Sequence, residues 1–319
     1  MEINNILLIG GSGFLGSHVA HLLSGRGYSL TVPTRRRERA KHLLPLPTTD
    51  VVEANVHDTA ELERVLAGQD AVINLAGVLH SRNGSPYGPD FAQAHVDLPK
   101  KVVAAAGKLG VQRLLHVSAL KADRNGPSQY LRSKADGEAA IRTAGDALPW
   151  TIFQPSVVFG PGDSFLNMFA QLARTFPILP LASPNARFQP VCVEDVANSI
   201  VDSLDKPESF GKTYELCGPK VYTLRQLVEY VSELIDCPRP IVGLSGGLSY
   251  LQAMMLEFAP GKTLMSRDNY HSMQTDSVCS GCALPFDRQP AALESVAPAY
   301  LAHHGPRARY YPFREKAGR

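Results

Sequence analysis

The chain has 319 residues, enough for one large domain or two coupled lobes, and its 44% hydrophobic and 19% charged content is that of a globular protein. Its 32 basic and 30 acidic residues leave a net charge of +2, which gives no electrostatic case for nucleic-acid binding. No apolar run reaches the roughly 20 residues that a bilayer span requires.

The first half alternates short apolar runs with helical patterns. Ile6 to Ile9 reads as a buried strand, and Phe14, Leu15, Val19, Leu22 and Leu23 recur at helical spacing. Tyr28–Val32 and Val51–Val52 read as strands, Glu61–Leu66 as a helix, and Ala71–Leu75 as a fourth strand. A long helix over Phe91–Leu109, a strand over Arg113–Val117, a helix over Tyr130–Arg142 and a strand over Trp150–Phe153 follow. This alternation predicts an α/β, doubly wound parallel sheet of the Rossmann type. After Phe153, Pro155, Gly160, Pro161 and Gly162 break the rhythm, and Val191–Leu204 reads as a strand end leading into a helix. Residues 1–155 with about 188–217 are expected to form the dinucleotide-binding domain. About 156–187 with 218–319 are expected to form a smaller, mixed C-terminal lobe. The uncharged run from Pro240 to Leu256 is interrupted by Gly243, Ser245, Gly246 and Gly247, and reads as an amphipathic or partner-facing helix.

Gly10-Gly11-Ser12-Gly13-Phe14-Leu15-Gly16 lies between the first strand and the first helix. Glycines there allow a tight turn and a close approach to a pyrophosphate, while the helix start offers free N–H groups. A nicotinamide dinucleotide is the implied ligand, with Gly10, Gly13, Phe14, Leu15 and Gly16 around its phosphates. The second strand runs into Thr34-Arg35-Arg36-Arg37, with Thr34 where an NAD site usually carries an acid. Arg35 can pair with a 2′-phosphate, so NADP(H) is expected over NAD(H); a solvated basic loop is the plainer alternative.

Tyr130 and Lys134 stand four apart in a helical segment and share a face. A tyrosine is a poor base at neutral pH, and an ammonium beside it would lower its pKa and fit it for proton transfer.

These pieces, with Asn74-Leu75-Ala76-Gly77, His116-Val117-Ser118-Ala119, Gln154 to Pro161 and Pro190 to Ala197, resemble the extended or atypical short-chain dehydrogenase/reductases, the NAD-dependent epimerase/dehydratase-like group. The resemblance runs from about Asn4 to about Asp276. Phe188-Gln189-Pro190-Val191 and Met265-Ser266-Arg267-Asp268-Asn269 resemble the subgroup that contains the NADPH-carrying accessory subunit of respiratory complex I and its bacterial relatives. The resemblance implies Tyr130 as acid/base, Lys134 as its partner and Ser118 as the third catalytic group. It also implies a cofactor groove lined by Asn74, Ala76 and Gly77, with Asn55 and Val56 at the adenine and Pro155 and Ser156 at the nicotinamide. The family's catalytic hydroxyl aligns with Ala119, one residue past Ser118, and in a strand a one-residue shift points to the opposite face. The loop from Lys121 to Gln129 is short for a nucleotide-sugar site.

Other residues read as structural. Asp58 is expected to cap the Glu61 helix, and Asp195 to cap the helix after it. His95 and Asp97 read as solvent or groove residues, and Ser81 to Gly88 as a flexible loop that orders over the cofactor. Cys192, Cys217, Cys237, Cys279 and Cys282 are few and odd in number, and no targeting segment is recognisable, which points to a reducing, cytoplasmic setting with or without peripheral membrane attachment. Cys279-Ser280-Gly281-Cys282 with His303-His304 is a poor zinc pattern, and no metal is expected.

Two functions of different class follow. One is an oxidoreductase acting on a small or lipophilic carbonyl or alcohol, the subgroup resemblance adding a quinone-like substrate. The other is a non-catalytic NADPH-binding assembly protein of a membrane complex, docking through Leu248–Leu256. A nucleotide-sugar epimerase or dehydratase is the third reading.

Overall fold

Seven parallel strands form the central sheet of the computed structural model, which describes residues 3–259, 263–281 and 283–302. In chain order they are β1 (Asn5–Ile9), β2 (Ser29–Thr34), β3 (Thr49–Glu53), β4 (Ala71–Asn74), β5 (Arg113–Val117), β6 (Trp150–Pro155) and β7 (Lys212–Leu216). Across the sheet the order is β7-β6-β5-β4-β1-β2-β3. The direction of winding reverses between β1 and β4, and the crevice beyond their carboxyl ends is where a doubly wound sheet takes its ligand. Ile9 pairs with Asn74, and Asn74 with His116, so the ends of β1, β4 and β5 line up at that crevice.

Strand alternation sorts the core to two faces. Ile6, Leu8, Ile73, Leu115 and Phe153 pack with Val19 and Leu23 of the Phe14–Gly25 helix and with Val196 and Ile200 of the Val193–Asp202 helix. Leu7, Ile9, Val72, Leu114 and Ile152 face the Thr59–Leu66 and Leu98–Leu109 helices. A third apolar cluster joins Phe159, Phe169, Phe188, Leu227, Val231 and Leu293 away from the sheet.

The long helix after β4 is not uniform. It starts at Pro89, runs as a π-helical turn over Ala92–Asp97, and continues as an α-helix over Leu98–Leu109. Proline at 99 has no N–H to donate to the carbonyl of His95, four residues back, so the α-ladder must widen there. The freed turn presses against the next helix: a side chain at Gly137 would put its Cβ 2.1 Å from the His95 oxygen.

Several expectations are corrected. Asp195 does not cap its helix; it accepts the N–H of Ala291 at 2.8 Å. Asp58 does cap, accepting from Glu61 N–H at 3.0 Å. The Ser81–Gly88 segment is pinned, through Tyr87 to Asp136 at 3.1 Å and through Gly88 N–H to Gln129 at 2.7 Å, because its polar groups find partners on the Gln129–Arg142 helix. Cys279 is disulfide-bonded to Cys217, 62 residues away, a pairing that the odd cysteine count and the reducing-compartment reading did not anticipate. Cys282, His303 and His304 lie outside the described residues. No helix among the described residues is long and apolar enough to cross a membrane.

Candidate dinucleotide and proton-transfer site

Gly10 follows the first strand with φ +82°, a left-handed conformation that only glycine enters without cost. A Cβ on Gly10 would stand 3.1 Å from the Ala76 nitrogen, and one on Gly16 would stand 2.2 Å from the Gly10 oxygen. The glycine turn and the segment after β4 are therefore in direct backbone contact. The Phe14–Gly25 helix has Gly13 at its cap, no side-chain cap and no acid in its first turn. Its first N–H groups and its dipole remain available for an anion. This cradle fits a pyrophosphate. Phe14 meets His18 edge-on at 5.6 Å, and Leu15 packs on the core.

At the adenosine end, Thr34 is buried and its hydroxyl donates to the Arg36 carbonyl at 3.1 Å, which turns the chain so that Arg35 and Arg36 are exposed. His57 is partly buried, and burial followed by the charges of Arg35 and Lys101 lowers its pKa. The charge of Arg35 thus reaches the His57 ring. Asn55 uses its side-chain oxygen on His57 N–H at 3.2 Å, and Val56 packs against the core.

Asn74 is fully buried; its Oδ1 accepts from Ala76 N–H at 3.1 Å and fixes the turn that exposes Gly77. A Cβ on Gly77 would stand 3.2 Å from Lys134 Nζ and 3.5 Å from His95 Nε2, so this glycine marks where the β4 segment meets the Gln129–Arg142 helix. Lys134 is buried and donates to the Val117 carbonyl at 3.2 Å, with Nζ 6.0 Å from the centre of the Tyr130 ring. Burial lowers Lys134 to about 8.

Tyr130 is held in its protonated form. Burial, then the Asp268 carboxylate, push its phenol up to about 12. Both causes disfavour the anion, so the neutral phenol is the resting form. The hydroxyl of Ser118 is buried with no hydrogen-bond partner among the described residues, and Ser118 N–H continues the sheet to Phe153 at 2.7 Å. Ala119 is buried beside it. Ser118 forms no bond to Tyr130 or Lys134 that would join it to the pair. Pro155 ends β6, and the Ser156 hydroxyl is taken up by Ser277 at 3.0 Å.

Two histidines carry more of the site than their sequence reading gave them. His95, read as a solvent or groove residue, is buried beside Gly77; it meets Phe91 in a stack and Tyr130 edge-on at 5.5 Å. His116 is buried with both ring nitrogens unpartnered among the described residues, opposite Asn74. Only the π-turn, hinted at by Pro99, could have signalled the first. The second sits in an apolar strand run with no local signal.

The family model for the NAD dependent epimerase/dehydratase family matches residues 6–217, well over half the chain. The chain belongs to that family. Among relatives of this epimerase/dehydratase-family protein, the mitochondrial NADH dehydrogenase (ubiquinone) 1 alpha subcomplex subunit 9 of Arabidopsis thaliana is 32% identical over 317 residues, covering 93% of this chain and 77% of that protein. The rat counterpart is 33% identical over 231 residues, covering 70% of this chain and 59% of that protein, so the chain spans less than two thirds of it. A ceramide reductase of Caulobacter vibrioides is 30% identical over 196 residues, covering 61% of this chain and 59% of that protein. Among solved structures, a nucleoside-diphosphate-sugar epimerase from Staphylococcus aureus superposes with a TM-score of 0.71 at 18% identity, covering 91% of this chain and 98% of that one, a likeness of fold. The family and the glycine cradle together support a nicotinamide dinucleotide as the cofactor.

Proposed function

We propose that this protein is an NADP(H)-dependent reductase of a small or lipophilic carbonyl, quinone-like carbonyls included, with Tyr130 as proton donor. The observation that carries the reading is the Tyr130–Lys134 pair, held on one helix with its ammonium against Gly77 at the switch point of the sheet. Bound NADPH would supply a hydride to the carbonyl carbon. Tyr130 would release its proton to the carbonyl oxygen as that oxygen takes up the bonding electron pair, giving the alcohol. The ammonium of Lys134 would steady the phenolate until solvent reprotonates it. Ser118 is the remaining candidate to orient the carbonyl, and the Asn74 turn would shape the groove. Thr34, at the position where an NAD site usually carries an acid, and Arg35 after it favour NADPH. The ceramide reductase relative is consistent with a lipophilic substrate.

NADPH consumption against a panel of aldehydes, ketones and quinones tests this. The wild type should turn over at least one class. Tyr130→Phe should lose roughly 10²–10⁴ in rate with NADPH affinity kept.

A second reading has its own observation. On the Gly246–Glu257 helix and just beyond it, Leu248, Leu251, Met255 and Phe258 are 54%, 45%, 67% and 74% exposed. An apolar face of this kind suits docking on a membrane complex, with NADPH held for stability rather than turnover. The relatives named as NADH dehydrogenase subunits favour that partner. Retained NADPH with no turnover of any carbonyl would support it.

A further inference from the structure

We propose that Asp268 is a positioning residue for Tyr130: its carboxylate, brought from far along the chain, seats the first turn of the Tyr130–Lys134 helix and so sets where the phenol stands. The proposal rests on the reading of Tyr130 given above.

A helix leaves its first N–H groups without acceptors inside the helix. In Gln129–Arg142 the local cap covers only part of this need: the Ser128 hydroxyl accepts from Leu131 N–H at 3.1 Å. The other two come from outside. Gln129 N–H donates to one oxygen of Asp268 at 2.6 Å, and Tyr130 N–H donates to the other at 3.0 Å, across a separation of 138 residues. A carboxylate at this end of a helix is also favoured by the dipole. The backbone of the proton donor is thus bonded directly to a distant acid.

Asp268 is itself held. It lies on the Arg267–Ser272 helix, whose start is closed by a reciprocal Ser266–Asn269 cap. The neighbouring Arg267 side chain pairs with Glu257 at 2.8 Å, and Arg267 N–H reaches the same carboxylate at 3.1 Å. Glu257 is the last residue of the helix that carries the exposed apolar face. Glu257 therefore anchors Arg267, and the adjacent residue along the main chain, Asp268, holds the Tyr130 backbone. Around the ring, Phe91 and His95 stand edge-on and Lys134 lies at 6.0 Å, so Asp268 is the anion that acts on the phenol.

The full chain with isotope-labelled tyrosine and glutamine provides the test. Amide exchange at Gln129 and Tyr130 and the titration of the Tyr130 ring, assigned with Tyr130→Phe, are compared in wild type, Asp268→Asn and Asp268→Glu. Asp268→Asn should speed exchange at both amides roughly tenfold or more and lower the midpoint of the phenol. Asp268→Glu keeps the charge and should recover the midpoint in part. Unchanged exchange and an unchanged midpoint in Asp268→Asn overturn the proposal. If Asp268→Asn does not fold, Arg267→Gln loosens the acid without altering it; faster exchange at Tyr130 then supports the proposal and unchanged exchange overturns it. Neither measurement needs turnover, so failure of the reductase reading leaves its outcome legible. Where turnover is found, Asp268→Asn should lower kcat and leave KM for NADPH unchanged.

Discussion

His95 accepts a hydrogen bond from the backbone N–H of Val78 at 3.0 Å. The acceptor is Nε2, so the proton sits on Nδ1, which meets the Ser133 hydroxyl at 2.8 Å; that hydroxyl donates to the Tyr130 carbonyl at 2.8 Å. One buried ring thereby ties the segment after β4 to the helix of Tyr130 and Lys134. His95→Ala leaves the Val78 N–H and the Ser133 hydroxyl short of a partner, at a cost of about 1–3 kcal/mol each. Denaturant titration should show that loss, and calorimetry should show weakened NADPH binding. A variant of wild-type stability and affinity would remove His95 from any positioning role.

Burial pushes His95 down to about 2 and His116 to about 3, so both are neutral in the fold. The unfolded chain takes up protons on these rings below about 6.5, and the folded chain does not. Stability from this source is full above that pH and falls as pH drops, by about 1.4 kcal/mol per unit for each ring. Replacing His116 with Phe should flatten the acid limb of stability measured by urea unfolding. An unaltered limb would contradict the neutral assignment.

On the reductase reading proposed above, Lys134 and Tyr130 would shape the pH profile in opposite ways. The phenol keeps its proton up to about 12, so Tyr130 imposes no loss through mild alkali. The ammonium is lost near 8 and with it the support for the phenolate. The rate of carbonyl reduction should therefore decline above pH 8, while Lys134→Arg should hold its rate there. In stability the sign is reversed: burying the charged amine is unfavourable, and the penalty is relieved as pH rises from about 8 toward 10.5.

Arg35 is exposed at the end of β2 with no acid beside it in the sequence. Arg35→Ala should weaken NADPH by roughly tenfold, the scale of one charge-assisted hydrogen bond, and leave NADH nearly unaffected. Binding isotherms with both nucleotides check this; equal losses for the two would sink the 2′-phosphate assignment.

Gly16→Ala places a methyl 2.2 Å from the Gly10 oxygen, and the contact is with backbone that cannot rotate away. The turn must open, at a cost of about 1–3 kcal/mol. Dinucleotide binding should be lost at a temperature where the variant is still folded, as read by circular dichroism alongside cofactor fluorescence.

Much of this protein was legible in its sequence, because the informative signals are local. The Gly10–Gly16 turn, the strand and helix periodicities and the four-residue spacing of Tyr130 and Lys134 each depend on neighbours along the chain. They determined the α/β sheet, the glycine cradle and the helix face that carries the phenol and the amine. Other facts depend on residues that folding alone brings together. Asp268 reaches Tyr130 across 138 residues, Cys217 bonds Cys279 across 62, and Val78 meets His95 across 17. No periodicity encodes such meetings. The state of Tyr130 was decided there too, since desolvation is a property of the packed interior and the Asp268 charge comes from a distant part of the chain.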